Sequence, residues 1–85
     1  MQFVYSTRFK KSYRKLSAGM QEKVLERLAL LAQDEYHPVL RTHPLHGAYS
    51  GYRSINVTGD VRLVYVRDGA VCRLEDIGTH SQLYG

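Results

Sequence analysis

The residues that can move protons or hold phosphate gather in the second half of the chain. His43 and His46 sit in "THPLHG", Arg53 and Asn56 in "YRSINV", and Asp60 at the turn "TGD". Arg62 opens "VRLVYV", and His80 and Tyr84 lie in the closing "IGTHSQLYG". Histidine titrates near neutrality and serves as acid or base. Arginine matches phosphate oxygens with a planar fork, and an aromatic ring stacks on a nucleobase. Such a set suits RNA cleavage without a metal. A base removes the proton of a 2′-hydroxyl, which attacks the adjacent phosphate. An acid protonates the departing 5′-oxygen, and a guanidinium holds the charge on the pentavalent phosphorus.

Other chemistries fit these residues less well. His43 and His46 have an H-x-x-H spacing that His80 could complete, but Pro44 follows His43, so the pair lies in a loop. No CxxC or HExxH accompanies it, and no metal is expected. Ser50, Ser54 and Ser81 lack a nucleophile-elbow context. No glycine-rich turn opens a helix to cradle a nucleotide. Each residue also has a purely structural reading. His43 can bond backbone in its loop, and Asp60 can be only a turn residue. Arg62 can pair with Glu75 or Asp76 across a sheet, and Tyr84 can cover the core. Residue types alone leave both readings open.

Positioning falls to elements legible in the hydrophobic pattern. "QFVY" at 2–5 suits a strand. Ser6 or Thr7 can cap a helix over "RFKKSYRKL", with Phe9, Tyr13 and Leu16 on one face and Arg8, Lys10, Lys11, Arg14 and Lys15 on the other. Ser17 can cap a second helix running to about Tyr36, with Met20, Val24, Leu25, Leu28, Leu31 and Ala32 as its apolar stripe. The short link between the helices predicts an antiparallel hairpin. The stretch from His37 to about Ala48 reads as loop. Beyond it the period shifts towards two, and "YRSINV", "VRLVYV" and "AVCRLEDIG" form a three-stranded antiparallel meander joined by "TGD" and "RDG". The fold class is α+β, in the order strand, helical hairpin, meander. Strand register decides whether the polar residues converge.

Eighty-five residues make one domain, 1–85, with a thin core. Twelve Lys and Arg against eight Asp and Glu favour an anionic partner. The one cysteine, Cys72, lies in an apolar run and reads as a buried structural thiol in a reducing compartment. No apolar signal segment or membrane-length run is present, so a cytoplasmic protein without a membrane partner is expected.

The chain resembles the RelE/ParE superfamily of bacterial toxins, and within it the YafQ-like messenger-RNA interferases. "YSTRFKKSYRKL" is similar to the family's opening strand and basic helix. "HPLHGAYSGYR" is similar to its HPL-x-G-x-x-x-GYR pattern, and "IGTHSQLYG" to its GTH-x-x-L-[FY]-G ending. The resemblance implies a ribosome-dependent endoribonuclease that cuts messenger RNA in the A site, needs no cofactor, touches ribosomal RNA and is held in check by an acidic antitoxin. It implies that His43 is a catalytic histidine, Asp60 an acidic residue of the site, His80 the proton donor and Tyr84 the terminal aromatic. "RLVY" is similar to the RelE branch, where the arginine at the place of Arg62 stabilises the phosphate.

Asn56, Val61 and Asp76 depart from the pattern, standing where relatives can carry histidine, tryptophan and arginine. His46, Arg53, Asn56 and Tyr84 are the expected RNA contacts, and Arg8, Lys11 and Lys15 the expected antitoxin surface. Two further readings share the fold class. One is a ParE-like toxin that poisons gyrase without nuclease chemistry, and the other a basic nucleic-acid-binding module.

Overall fold

The computed structural model describes residues 1–84. Its strands are β1 (Gln2–Tyr5), β2 (His43–Pro44), β3 (Arg53–Thr58), β4 (Val61–Asp68) and β5 (Val71–Thr79), and its helices are α1 (Thr7–Arg14), α2 (Ala18–Gln33) and α3 (His80–Tyr84). One five-stranded sheet runs in the order β1-β5-β4-β3-β2. The expected meander is its centre, flanked by two additions. β1 pairs parallel with β5, which makes the sheet mixed. β2 lies inside the segment expected to be loop and pairs antiparallel with β3, His43 opposite Ser54.

Local chemistry starts each helix. The Ser6 hydroxyl accepts the amide of Phe9 and the Ser17 hydroxyl that of Met20, so both helices open on a serine cap. α2 stops at Gln33, short of the expected Tyr36. Asp34 leaves helical geometry, and its carboxylate accepts the Tyr36 amide in a turn. The helices lay Phe9, Val24, Leu28 and Leu31 on Ile55, Val57, Leu63, Tyr65, Cys72, Leu74 and Ile77 of the sheet. Leu25 and Ala32, expected in that stripe, point outward. Cys72 is fully buried, and burial pushes its thiol up to about 11, which makes it inert.

Two bulges set the facing of the sheet. On β5, Tyr65 stands opposite Leu74 but Val64 opposite Asp76, so Glu75 is an extra residue. On β3, Asn56 pairs with Arg62 and Thr58 with Val61, so Val57 is extra. Each bulged carbonyl finds a donor from the helical layer. The Ser6 hydroxyl donates to the Glu75 carbonyl at 2.7 Å, and Arg27 Nε donates to the Val57 carbonyl at 2.9 Å. A backbone oxygen that leaves the ladder and stays unpaired in the interior is costly, so these contacts hold the bulges in place.

Glu35 fastens the end of the hairpin to the sheet. Its carboxylate accepts Arg53 Nη1 at 2.5 Å, the Tyr65 hydroxyl at 2.6 Å and Arg67 Nη1 at 2.6 Å. Its carbonyl accepts the Thr42 hydroxyl, one residue before β2. Burial alone would raise the Glu35 carboxyl, but the bonds from Tyr65, Arg67 and Arg53 outweigh it and hold the group below its ordinary 4.5. A depressed carboxyl adds stability above 4.5 that is lost as pH falls through the lower folded value. Urea unfolding should therefore show stability declining below that pH in the wild type and much less so in Glu35→Gln. At neutral pH Glu35→Ala should cost about 2–3 kcal/mol, below a fully buried ion pair because both arginines are about a third open to water. Equal acid sensitivity in wild type and Glu35→Gln would remove Glu35 from this role.

Candidate active site

The face of the sheet turned away from the helices carries His43, Ser54, Asn56, Arg62 and Val64. Directly opposed residues of antiparallel strands share a face, and the pairs His43–Ser54, Ser54–Val64 and Asn56–Arg62 place all five together. Arg62 is held by its neighbour: its Nη1 donates to Asn56 Oδ1 at 2.6 Å. Its Nε is buried and unpaired among the described residues. The expected alternative of an ion pair with Glu75 or Asp76 is not formed. Glu75 lies 3.6 Å from Arg73, and Asp76 accepts the Ser12 hydroxyl at 2.7 Å. Arg62 thus keeps donors for an anion in front of it.

His43 is oriented by the backbone before it. Its Nδ1 lies 2.9 Å from the Arg41 carbonyl. A carbonyl oxygen only accepts, so Nδ1 carries a proton, and in the neutral ring the lone pair is at Nε2. Arg41 adopts a left-handed conformation, with φ 49° and ψ 44°, at the end of the 3₁₀ turn Pro38–Leu40. A non-glycine residue held there stores backbone strain, and such strain clusters at functional sites.

The tail folds over the same face. Thr79 and Gln82 form a reciprocal cap for α3. The Thr79 amide donates to Gln82 Oε1 at 2.8 Å, and the Gln82 amide donates to Thr79 Oγ1 at 3.2 Å. Leu83 is buried and anchors the short helix. The His80 ring meets Tyr84 at 4.9 Å, and Tyr84 meets Tyr49 edge-on at 5.6 Å. Gly78 lies opposite Arg62, and a β-carbon there would come within 2.8 Å of Gln82 Oε1 and 3.2 Å of Gln82 Cβ. A methyl group there would push on Gln82, whose Oε1 the Thr79 amide holds, because the tail packs directly on the strand.

His43, Leu45, His46, Arg62, His80 and Tyr84 line one cleft of about 390 Å³. Of the expected site residues it brings together His43, His46, Arg62, His80 and Tyr84. Asn56 stands beside them as the brace of Arg62. Asp60 is exposed in the β3–β4 turn and does not line the cleft. Arg53, expected to contact RNA, does not line the cleft. It stands opposite Tyr65 on the helical face, bound to Glu35, with its guanidinium 5.9 Å from the Tyr36 ring centroid. Tyr49 and Leu45 were missed. The only signal for Tyr49 was an aromatic residue in a glycine-flanked loop, "GAYSG".

A mixed five-stranded sheet backed by a helical hairpin thus carries His43, Arg62 and His80 in one cleft on its open face. A family model described as "Bacterial toxin of type II toxin-antitoxin system, YafQ" matches residues 1–85, and the chain belongs to that family. It is 40% identical over 47 residues to the mRNA interferase toxin YafQ of Escherichia coli (strain K12). That alignment covers 55% of this chain and 51% of the relative, so it spans about half the relative's length. The crystal structure of YafQ from E. coli strain BL21(DE3) superposes with a TM-score of 0.86 at 27% identity, covering 99% of this chain and 98% of that one. A chain of the E. coli DinJ-YafQ complex gives a TM-score of 0.71 at 29% identity, with the same two coverages.

The contact between Gly78 and the tail is testable. Gly78→Ala should leave the sheet folded by circular dichroism but lift α3, and with it His80, from the cleft. A displacement of about 1 Å can cost on the order of 10²-fold in rate, and a loss of that size is expected. Full activity in a folded Gly78→Ala protein would show that the tail does not need its close seat.

Proposed function

We propose that the protein is a ribosome-dependent endoribonuclease that cuts messenger RNA without a metal, working in the cytoplasm where its substrate is translated. The observation that carries this reading is the placing of His43 and His80 in one cleft with Arg62. His43 Nε2 takes the proton of the 2′-hydroxyl, and the freed oxygen attacks the adjacent phosphorus. Arg62 holds the non-bridging oxygens as charge builds on them. The bond from phosphorus to the 5′-oxygen breaks, and protonated His80 supplies the proton that this leaving oxygen needs. The products are a 2′,3′-cyclic phosphate and a 5′-hydroxyl, so no water and no redox partner enters. Asn56 acts through Arg62 as a positioning residue, His46 and Tyr84 contact the RNA, and the surrounding positive charge faces ribosomal RNA. Asp60 contributes from the rim rather than from the cleft. A gyrase poison has no need of this proton-transfer pair, so the cleft favours nuclease chemistry. The name of the relative, an mRNA interferase toxin, supports the same reaction.

Single-turnover cleavage of messenger on programmed ribosomes tests the assignment. Arg62→Ala should lose roughly 10²–10³ in rate, the usual loss when one donor to a developing oxyanion is removed. Arg62→Lys should recover only part of it, because an ammonium lacks the planar fork. A near-normal rate for folded Arg62→Ala would contradict the proposal.

The control partner we propose is an acidic antitoxin seated on α1. Arg8, Lys11 and Lys15 are all exposed there, opposite buried Phe9. The structural likeness to YafQ in the E. coli DinJ-YafQ toxin-antitoxin complex supports an antitoxin as partner. Reversing the three charges to Glu should weaken pull-down of the co-expressed antitoxin at low salt by an order of magnitude or more. Undiminished capture would place the interface elsewhere.

A further inference from the structure

A second cleft opens beside the first. His46, Ala48, Tyr49, Leu83 and Tyr84 line about 300 Å³, and His46 and Tyr84 belong to both clefts. Two of its rings, Tyr49 and Tyr84, belong to an aromatic row. Tyr52, Tyr49 and Tyr84 meet edge to face at 5.7 and 5.6 Å, and His80 continues the row. The loop that carries Tyr49 is tightly formed. The Tyr52 amide donates to the Tyr49 carbonyl at 2.9 Å and the Ser50 amide to the Gly47 carbonyl at 3.0 Å. Gly47 has φ +67°, a conformation that favours glycine. Tyr49 is half-buried and Tyr84 keeps 37% of its surface, so the pair is rigid yet open to a ligand.

We infer that Tyr49, with Tyr84 and His46, forms a stacking subsite for the nucleobase immediately 3′ of the cut. This rests on the proposed nuclease reading, and the direction follows from it. His80 protonates the 5′-oxygen, which belongs to the 3′ nucleotide, so that nucleotide lies on the His80 side of the phosphate. Tyr84 touches His80, and Tyr49 touches Tyr84. A strand leaving Arg62 past His80 therefore delivers its next base to the aromatic cleft. Stacking tolerates every base, so the subsite adds grip and alignment, with a preference set by stacking strength. Carbons of Leu83 and Ala48 leave the pocket few polar groups for reading base edges.

The test is a double-mutant cycle between protein and messenger. Ribosomes are programmed with a messenger that carries either a normal or an abasic nucleotide directly 3′ of the cut. The toxin concentration for half-maximal cleavage is measured for wild type, Tyr49→Ala and Tyr49→Phe. Removing the base should raise it on the order of tenfold for the wild type, within the range expected for one stacked base. Tyr49→Ala should raise it similarly on the normal messenger and show little further change on the abasic one. Tyr49→Phe should keep the sensitivity to the base. Independent, additive losses would mean that Tyr49 only props Tyr84, and would overturn the subsite. So would a folded Tyr49→Ala protein that still distinguishes the two messengers as the wild type does. If the wild type fails to cut even the normal messenger, the nuclease reading itself falls, an outcome separate from these.

Discussion

The extra residue Glu75 in β5 decides on which side of the sheet the chain ends. Before it, Cys72 and Leu74 face the helices; after it, Ile77 does. Strand side chains alternate strictly, so without the bulge Gly78 would share a face with Leu74. With it, Gly78 falls opposite Arg62 on the open face, and α3 folds over Arg62 instead of into the core. The Ser6 hydroxyl that takes the Glu75 carbonyl also caps α1. One side chain therefore starts the first helix and holds the irregularity that brings His80 to the cleft.

The other half of the cleft depends on the helical hairpin's end. Glu35 binds Arg53 of β3 and Arg67 and Tyr65 of β4, and through its carbonyl it holds Thr42. The chain between Glu35 and β2 is thereby tied to the strands that bear Asn56 and Arg62. The strained turn at Arg41 then aims a carbonyl at His43 and fixes its tautomer. His43 and His80 are thus placed by two separate tethers, which meet only because β4 pairs with both β3 and β5. Neither tether lies in the cleft, so its side chains stay open.

Much of this was legible in the residues. Serines before apolar runs marked both helix starts, and the alternating runs with glycine turns marked β3, β4 and β5. The motif around His43 and the ending around His80 pointed to one site, and the structure brings these histidines and Arg62 into one cleft. What the pattern lacked is physically understandable. A two-residue strand such as β2 has no periodicity, and the parallel pairing of β1 with β5 is a contact between chain ends. Arg53 looked like a phosphate contact because its type is right; only the register, with Tyr65 opposite, turns it to Glu35. Asn56 stands where relatives can carry histidine, and its place opposite Arg62, visible only in the register, makes it a brace. The Thr79–Gln82 cap was readable from "THSQ", since threonine followed three residues later by glutamine is a capping pair. The bulge at Glu75 left no comparable mark.

The central claim is that His80 protonates the leaving 5′-oxygen while His43 and Arg62 serve the other side of the phosphate. A messenger whose scissile 5′-oxygen is replaced by sulfur tests it most directly. A thiolate is a far better leaving group than an alkoxide, since a thiol ionises near pH 8.5, and it departs without a proton. On programmed ribosomes, His80→Ala should cut the oxygen messenger on the order of 10²–10⁴-fold more slowly than the wild type. It should cut the sulfur messenger at nearly the wild-type rate, while His43→Ala and Arg62→Ala stay impaired on both. An equal deficit of His80→Ala on oxygen and sulfur would contradict the account.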